Sequence, residues 1–168
     1  MQHPDELLDL VDDQDRVIGQ ARRSEVYRAG RINFRVVNAF LFNGAGQLWI
    51  PRRSATQRLF PLGLDVSMGG HVASGETYEE ALRRELREEL NLDLDRQAWG
   101  CVAYLSPYVQ PLSAFMKVYA IAVDRAPDYN PADFIEAFWG SPDQVLARIA
   151  SGDRAKDDLP TLIRLLFV

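Results

Sequence analysis

Glu85, Glu88 and Glu89 stand at positions i, i+3 and i+4 within YEEALRRELREEL (78–90). In a helix their carboxylates crowd onto one face, where each like-charged pair costs about 0.2–0.5 kcal/mol. They also lie near the helix C-terminus, where the macrodipole disfavours anions. A hard divalent cation removes both penalties. Oxygen ligands at this density suit Mg2+, with Mn2+ as a substitute, and either ion shares its coordination with water and substrate phosphates. For such a cluster taken alone, a solvated acidic face is the alternative.

The helix that must position these groups is well specified locally. Thr77 and Glu80 form a capping box, and Glu79–Arg83 and Glu80–Arg84 are i,i+4 pairs in the favourable order. Leu82, Leu86 and Leu90 supply a buried stripe, and Asn91 follows as a residue that tolerates the left-handed stop conformation.

Upstream of the acidic cluster, Gly70, Glu76, Arg84, Glu85, Leu86, Glu88, Glu89 and Leu92 keep a fixed spacing. It resembles the Nudix box: a Gly, five residues, Glu, seven residues, then Arg-Glu-apolar-x-Glu-Glu-x-Gly-apolar. One position departs, the final Gly being Asn91 here, and Asn also stops helices. From Asp12 onward, through RRS (52–54) and FPLGLDVSMGGHV (60–72), the chain is similar to bacterial Nudix proteins of the isopentenyl-diphosphate isomerase-like group.

Length and composition bound the remaining readings. The 168 residues, 47% hydrophobic, predict one domain spanning 1–168 with a real core. A net charge of -5 argues against a general nucleic-acid or anionic-membrane binder, which needs a basic face. Cys101 is the only cysteine, so no intramolecular disulfide or cysteine-paired zinc site is expected. MQHPDELLDLVDDQD lacks the basic and apolar regions of a signal peptide, and no apolar run approaches a membrane span, so a cytoplasmic location is expected.

Taken in order, residues 7–20 read as two short strands around DDQD, followed by a short helix at 24–27. RVVNAFLF (35–42) is the apolar run of a strand covered on both faces, and NGAG then turns the chain into QLWIPRR as a hairpin. Residues 54–69 read as an irregular loop. Strands are expected at 100–106 and 114–123, forming a second hairpin, and at 134–140, with helices at 142–149 and 158–167. This order gives an α/β fold with a mixed central sheet, and the resemblance implies the same Nudix-type α/β/α sandwich.

The resemblance also implies chemistry: hydrolysis of a nucleoside diphosphate linked to a further group. Carried over by position, Glu85 and Glu89 are the main metal ligands, Glu88 a further ligand or water-orienting group, and the Gly69 carbonyl completes the set. Gly70, Glu76 and Arg84 are structural, the last two as an ion pair. Asp133 and Glu136 are candidates for a fourth acid, with a solvated surface role as the alternative. Arg35, Arg52, Arg53 and Arg58 are candidates for substrate phosphates, since an arginine fork pairs well with phosphate oxygens, and Arg53 is favoured over Arg52. Tyr108 and Phe115 could stack on a base or pack in the core. His71 reads as structural or substrate-adjacent, and His3 carries no signal.

The expected substrates are nucleoside 5'-di- or triphosphates, with nucleotide sugars and other nucleoside diphosphate derivatives as the alternative, acted on by a monomer or homodimer. An isopentenyl-diphosphate isomerase requires a cysteine in the loop before the box, which here reads DVSMGGHV. A silent nucleotide sensor would have eroded box glutamates, and all are present here.

Overall fold

A computed structural model describes residues 4–168; His3 lies outside the described residues. Strands β1 (Leu7–Val11) and β2 (Val17–Arg22) pair antiparallel as a separate two-stranded sheet. The Asp12 carboxylate closes their turn by accepting from the Gln14 and Arg16 amides at 2.9 Å each. Helix α1 (Arg23–Arg28) follows.

The main sheet has six strands. β3 (Arg35–Phe42) is its centre, running parallel to β7 (Phe115–Ala122) over eight residue pairs, and β6 (Ala98–Leu105) pairs antiparallel with β7. β4 (Leu48–Arg53) turns back from β3 but shares only the Phe42–Leu48 pair with it. It runs instead along β8 (Phe134–Gly140). The expected hairpin is thus a turn and little more, because the rest of that edge of β3 is taken by β5 (Met68–His71). β5 is a correction to the reading of 54–69 as loop. A four-residue strand containing two glycines has no side-chain alternation to announce it, and only pairing with β3 specifies it.

Helix α2 (Tyr78–Leu90) connects β5 to β6 and covers one face of the sheet. Its Ala81, Leu82, Leu86 and Leu90 pack with Val37, Ala39, Leu41, Tyr119 and Ile121. Helices α3 (Pro142–Ala150) and α4 (Asp158–Phe167) cover the other face, where Val145, Leu159, Leu162 and Ile163 meet Phe40, Ile50, Met116 and Val118. β3 therefore buries both faces, which explains its nearly unbroken apolar run. The expected α/β/α sandwich with a mixed sheet is present. Thr77 and Glu80 form their capping box at 3.1 and 2.8 Å, and Asn91 ends α2 at φ 51°. Among the described residues no helix is long and apolar enough to cross a membrane.

Candidate active site

The site is built where β5 meets α2. Side chains along a strand alternate between faces, so Gly70 and Gly69 leave opposite faces of β5 bare. A Cβ at Gly70 would overlap Glu85 Cγ, Cδ and Oε1, so glycine is required for the carboxylate to lie against the strand. Gly70→Ala is expected to destabilise the fold by about 1–3 kcal/mol, as overpacking does. Gly100→Ala, where a Cβ meets nothing within 4 Å, should change stability by less than about 0.5 kcal/mol. Paired denaturant melts check both; equal effects would remove the steric argument.

The β3–β5 register aims the strand's polar groups. The Val72 amide donates to the Arg35 carbonyl at 3.1 Å, which makes residues 35 and 72 a hydrogen-bonded pair. Such pairs alternate, so Gly70 bonds Val37 while Gly69 and His71 turn their peptide groups away from β3. The His71 carbonyl accordingly accepts from Arg84 Nη2 at 3.0 Å. The Gly69 carbonyl faces out of the same open edge.

Glu89 carries the strongest signal. Its Oε2 is the one buried side-chain oxygen or nitrogen without a hydrogen-bond partner among the described residues. Burial raises its pKa well above the ordinary value, and the charges of Glu85, Asp133 and Asp65 raise it further, against the opposing pull of Arg53. Burial also pushes Glu85 up to about 7, in spite of the Arg84 guanidinium beside it. Leaving a buried carboxylate oxygen unpaired costs about 1–3 kcal/mol or more. An orphaned oxygen among further carboxylates is a donor set that fits a hard divalent cation.

The carboxylates are not drawn to a point: among the described residues no three His, Cys, Asp or Glu side chains stand as a ready ligand set. Arg84 instead takes up several of them. The Arg84 fork takes Glu76 at 2.7 and 2.9 Å and Glu85 at 2.7 Å, and reaches the exposed Glu88 at 3.6 Å. These partners, Glu76 first, push the Arg84 pKa above its ordinary value. Glu76, in turn, accepts from the Ala73 amide at 2.8 Å, fixing the loop between β5 and α2.

Of the two candidate fourth acids, Asp133 is buried and its charge acts on Glu89. Glu136 is exposed and bonded to Arg52. A β-bulge separates Arg52 from Arg53 opposite β8, and the two neighbours go to different surroundings. Arg52 grips Asp153 at 2.9 and 3.0 Å, holding that carboxyl down at about 2, so its guanidinium is occupied by that pair. Arg53 reaches buried Asp65 at 2.7 Å and the Leu59 carbonyl at 2.9 Å, on the Glu89 side.

Arg35 is likewise occupied, donating to the Asp15 carboxylate and carbonyl at 2.6 Å each. Arg58 is exposed in the loop, away from any ion pair among the described residues. Tyr108 is 53% exposed and its ring packs 5.8 Å from that of buried Phe115, so these two meet each other. His71 accepts or donates at 2.8 Å with the Tyr27 hydroxyl and stands 3.5 Å from Glu6. Asp65, whose charge acts on Glu89, is marked by no motif in the sequence.

Comparison with known proteins bears on family and fold. A NUDIX domain model matches residues 33–159. A Nudix hydrolase of Nostoc sp. is 57% identical over 96% of this chain and 96% of its own length. One from Deinococcus radiodurans is 53% identical over 95% of this chain and 93% of its own. A crystal structure from D. radiodurans, 51% identical, superposes with a TM-score of 0.92 over 97% of this chain and 100% of that one. With the family's glutamate helix, glycine strand and sandwich all in place, the chain belongs to the Nudix family and is a Nudix hydrolase.

Proposed function

We propose that this Nudix hydrolase cleaves a phosphoanhydride bond of a small nucleotide, with Mg2+ as its cofactor and nucleoside 5'-di- or triphosphates as substrates. The observation that carries the reading is the orphaned, buried Oε2 of Glu89 among Glu85, Asp133 and Asp65. Glu85 and Glu89 would hold the cation, with the Gly69 carbonyl at the strand edge and Glu88 at the solvent side. A bound divalent ion neutralises the diphosphate and favours attack by water. In that attack a P–O bond forms to the water oxygen as the bridging P–O bond breaks, and the two phosphate-bearing products share the water's atoms. The chain's own contribution is position. Arg84 fixes the Glu85 carboxylate against Gly70, and Glu76 fixes Arg84.

No cysteine stands in β5 or the loop before it, where an isomerase would need one. The test is a screen of nucleoside di- and triphosphates and nucleotide sugars in 18O-labelled water with and without Mg2+. Expected is Mg2+-dependent turnover with the label in one phosphate product. Turnover of none of them, or isomerisation of isopentenyl diphosphate by the same preparation, would sink the reading.

A further inference from the structure

The face of β5 opposite Glu85 carries a cation that the box chemistry does not use. A Cβ at Gly69 would lie 2.8 Å from Asn38 Oδ1, 3.3 Å from Val66 Cγ2 and 3.9 Å from Lys156 Nζ. Glycine therefore leaves open the space between the strand and the Lys156 ammonium. Among the described residues that ammonium forms no ion pair, whereas Arg35, Arg52, Arg53 and Arg84 are each held by a carboxylate.

Lys156 is placed there by design of the backbone rather than by a flexible tail. The Leu64 amide donates to the Arg154 carbonyl, and the Lys156 amide to the Leu64 carbonyl, both at 2.8 Å. The Leu159 amide closes the start of α4 on the Lys156 carbonyl at 3.0 Å, while Arg52 and Arg148 grip Asp153 upstream. Beneath the ammonium the floor is polar as well: Asn38 is buried, and among the described residues its carboxamide nitrogen donates only to the Met116 sulfur, at 3.3 Å. Sulfur is a weak acceptor, so this amide keeps hydrogen-bonding capacity for something better.

We infer that the Lys156 ammonium binds the phosphate of the substrate that lies across the Gly69–Gly70 strand edge from the carboxylate cluster. One glycine-bare strand then has carboxylates on one face and a lysine on the other, with the Gly69 carbonyl facing out between them. A diphosphate laid over that edge meets a carboxylate-held cation on one side and a compact ammonium on the other, the arrangement its two charged ends require. A monophosphate can meet only one of them. This deepens the proposed function and rests on it.

The experiment is calorimetric titration of the full chain with methylenediphosphonate in Mg2+, for wild type, Lys156→Met and Lys156→Arg, with thermal melts without ligand. A charge-assisted contact predicts binding weakened about tenfold or more in Lys156→Met, with Lys156→Arg within about threefold of wild type and all three melting together. Wild-type affinity in Lys156→Met, or Lys156→Arg as weak as Lys156→Met, would overturn the assignment alone. If wild type binds no diphosphonate in Mg2+, the parent reading falls with it.

Discussion

Glu89→Gln is expected to lower kcat by about three orders of magnitude, since an ion worth several kcal/mol of transition-state charge stabilisation loses a ligand. At the same time the metal-free protein should become more stable near pH 8. The two effects share one cause. Glu89 Oε2 is buried and unpaired and the group is repelled by Glu85, Asp133 and Asp65, so its charge destabilises the fold that its chemistry needs. Glutamine keeps the shape and removes the charge. Loss of activity together with loss of stability would contradict this account.

The pH dependence follows with a definite sign. Burial raises Glu85 from 4.5 to about 7, so within that interval the folded chain holds a proton that the unfolded chain has released. Stability of the metal-free protein is therefore greatest at the acid end and falls as pH rises through 7, by up to about 3 kcal/mol for a shift of that size. Raised Glu89 acts in the same direction. Denaturant melts at about pH 5 and pH 8 should show the fall in wild type and a flatter line in Glu89→Gln. Added Mg2+ should restore stability near pH 8 in wild type more than in the variant, by mass action on the folded state.

Arg84→Ala is the second large effect, and it should appear first in stability. Its guanidinium joins Glu76, Glu85 and the His71 carbonyl, tying β5, the following loop and α2 together. Removing one partner of a buried pair typically costs about 3–5 kcal/mol. Because Arg84 and Glu76 are 29% and 21% exposed at their side chains, water recovers part of that, and about 2–3 kcal/mol is expected. Arg84→Lys should recover less than half, since an ammonium cannot reproduce a fork that serves three acceptors. A double-mutant cycle with Glu76→Gln checks the source: a coupling of about 0.5–3 kcal/mol is expected, and additive losses would show that the pair is not the cause.

Much of the fold was legible because its signals are local. α2 announces itself by leucine spacing, a capping box and an asparagine stop, all readable within a few residues. β3 is legible as an apolar run because both of its faces are covered. β5 was not, since Met68–His71 is a strand only through its bonds to β3. The same holds for the basic residues. Arg52 and Arg53 are adjacent and chemically identical, and a bulge opposite β8 sends one to Asp153 and the other to Asp65.

The sequence by itself determined which helix carries the carboxylates, that they share one face, and that Gly69 and Gly70 precede them. Spacing along one element sets these, because helix and strand geometry is fixed per residue. Tertiary structure alone decided that Glu89 Oε2 is left unpaired, that the Asp133 charge acts on Glu89 while Glu136 pairs with Arg52, and that Lys156 reaches the far face of Gly69. Those relations depend on desolvation and on pairings between distant segments, which exist only once the sheet has closed.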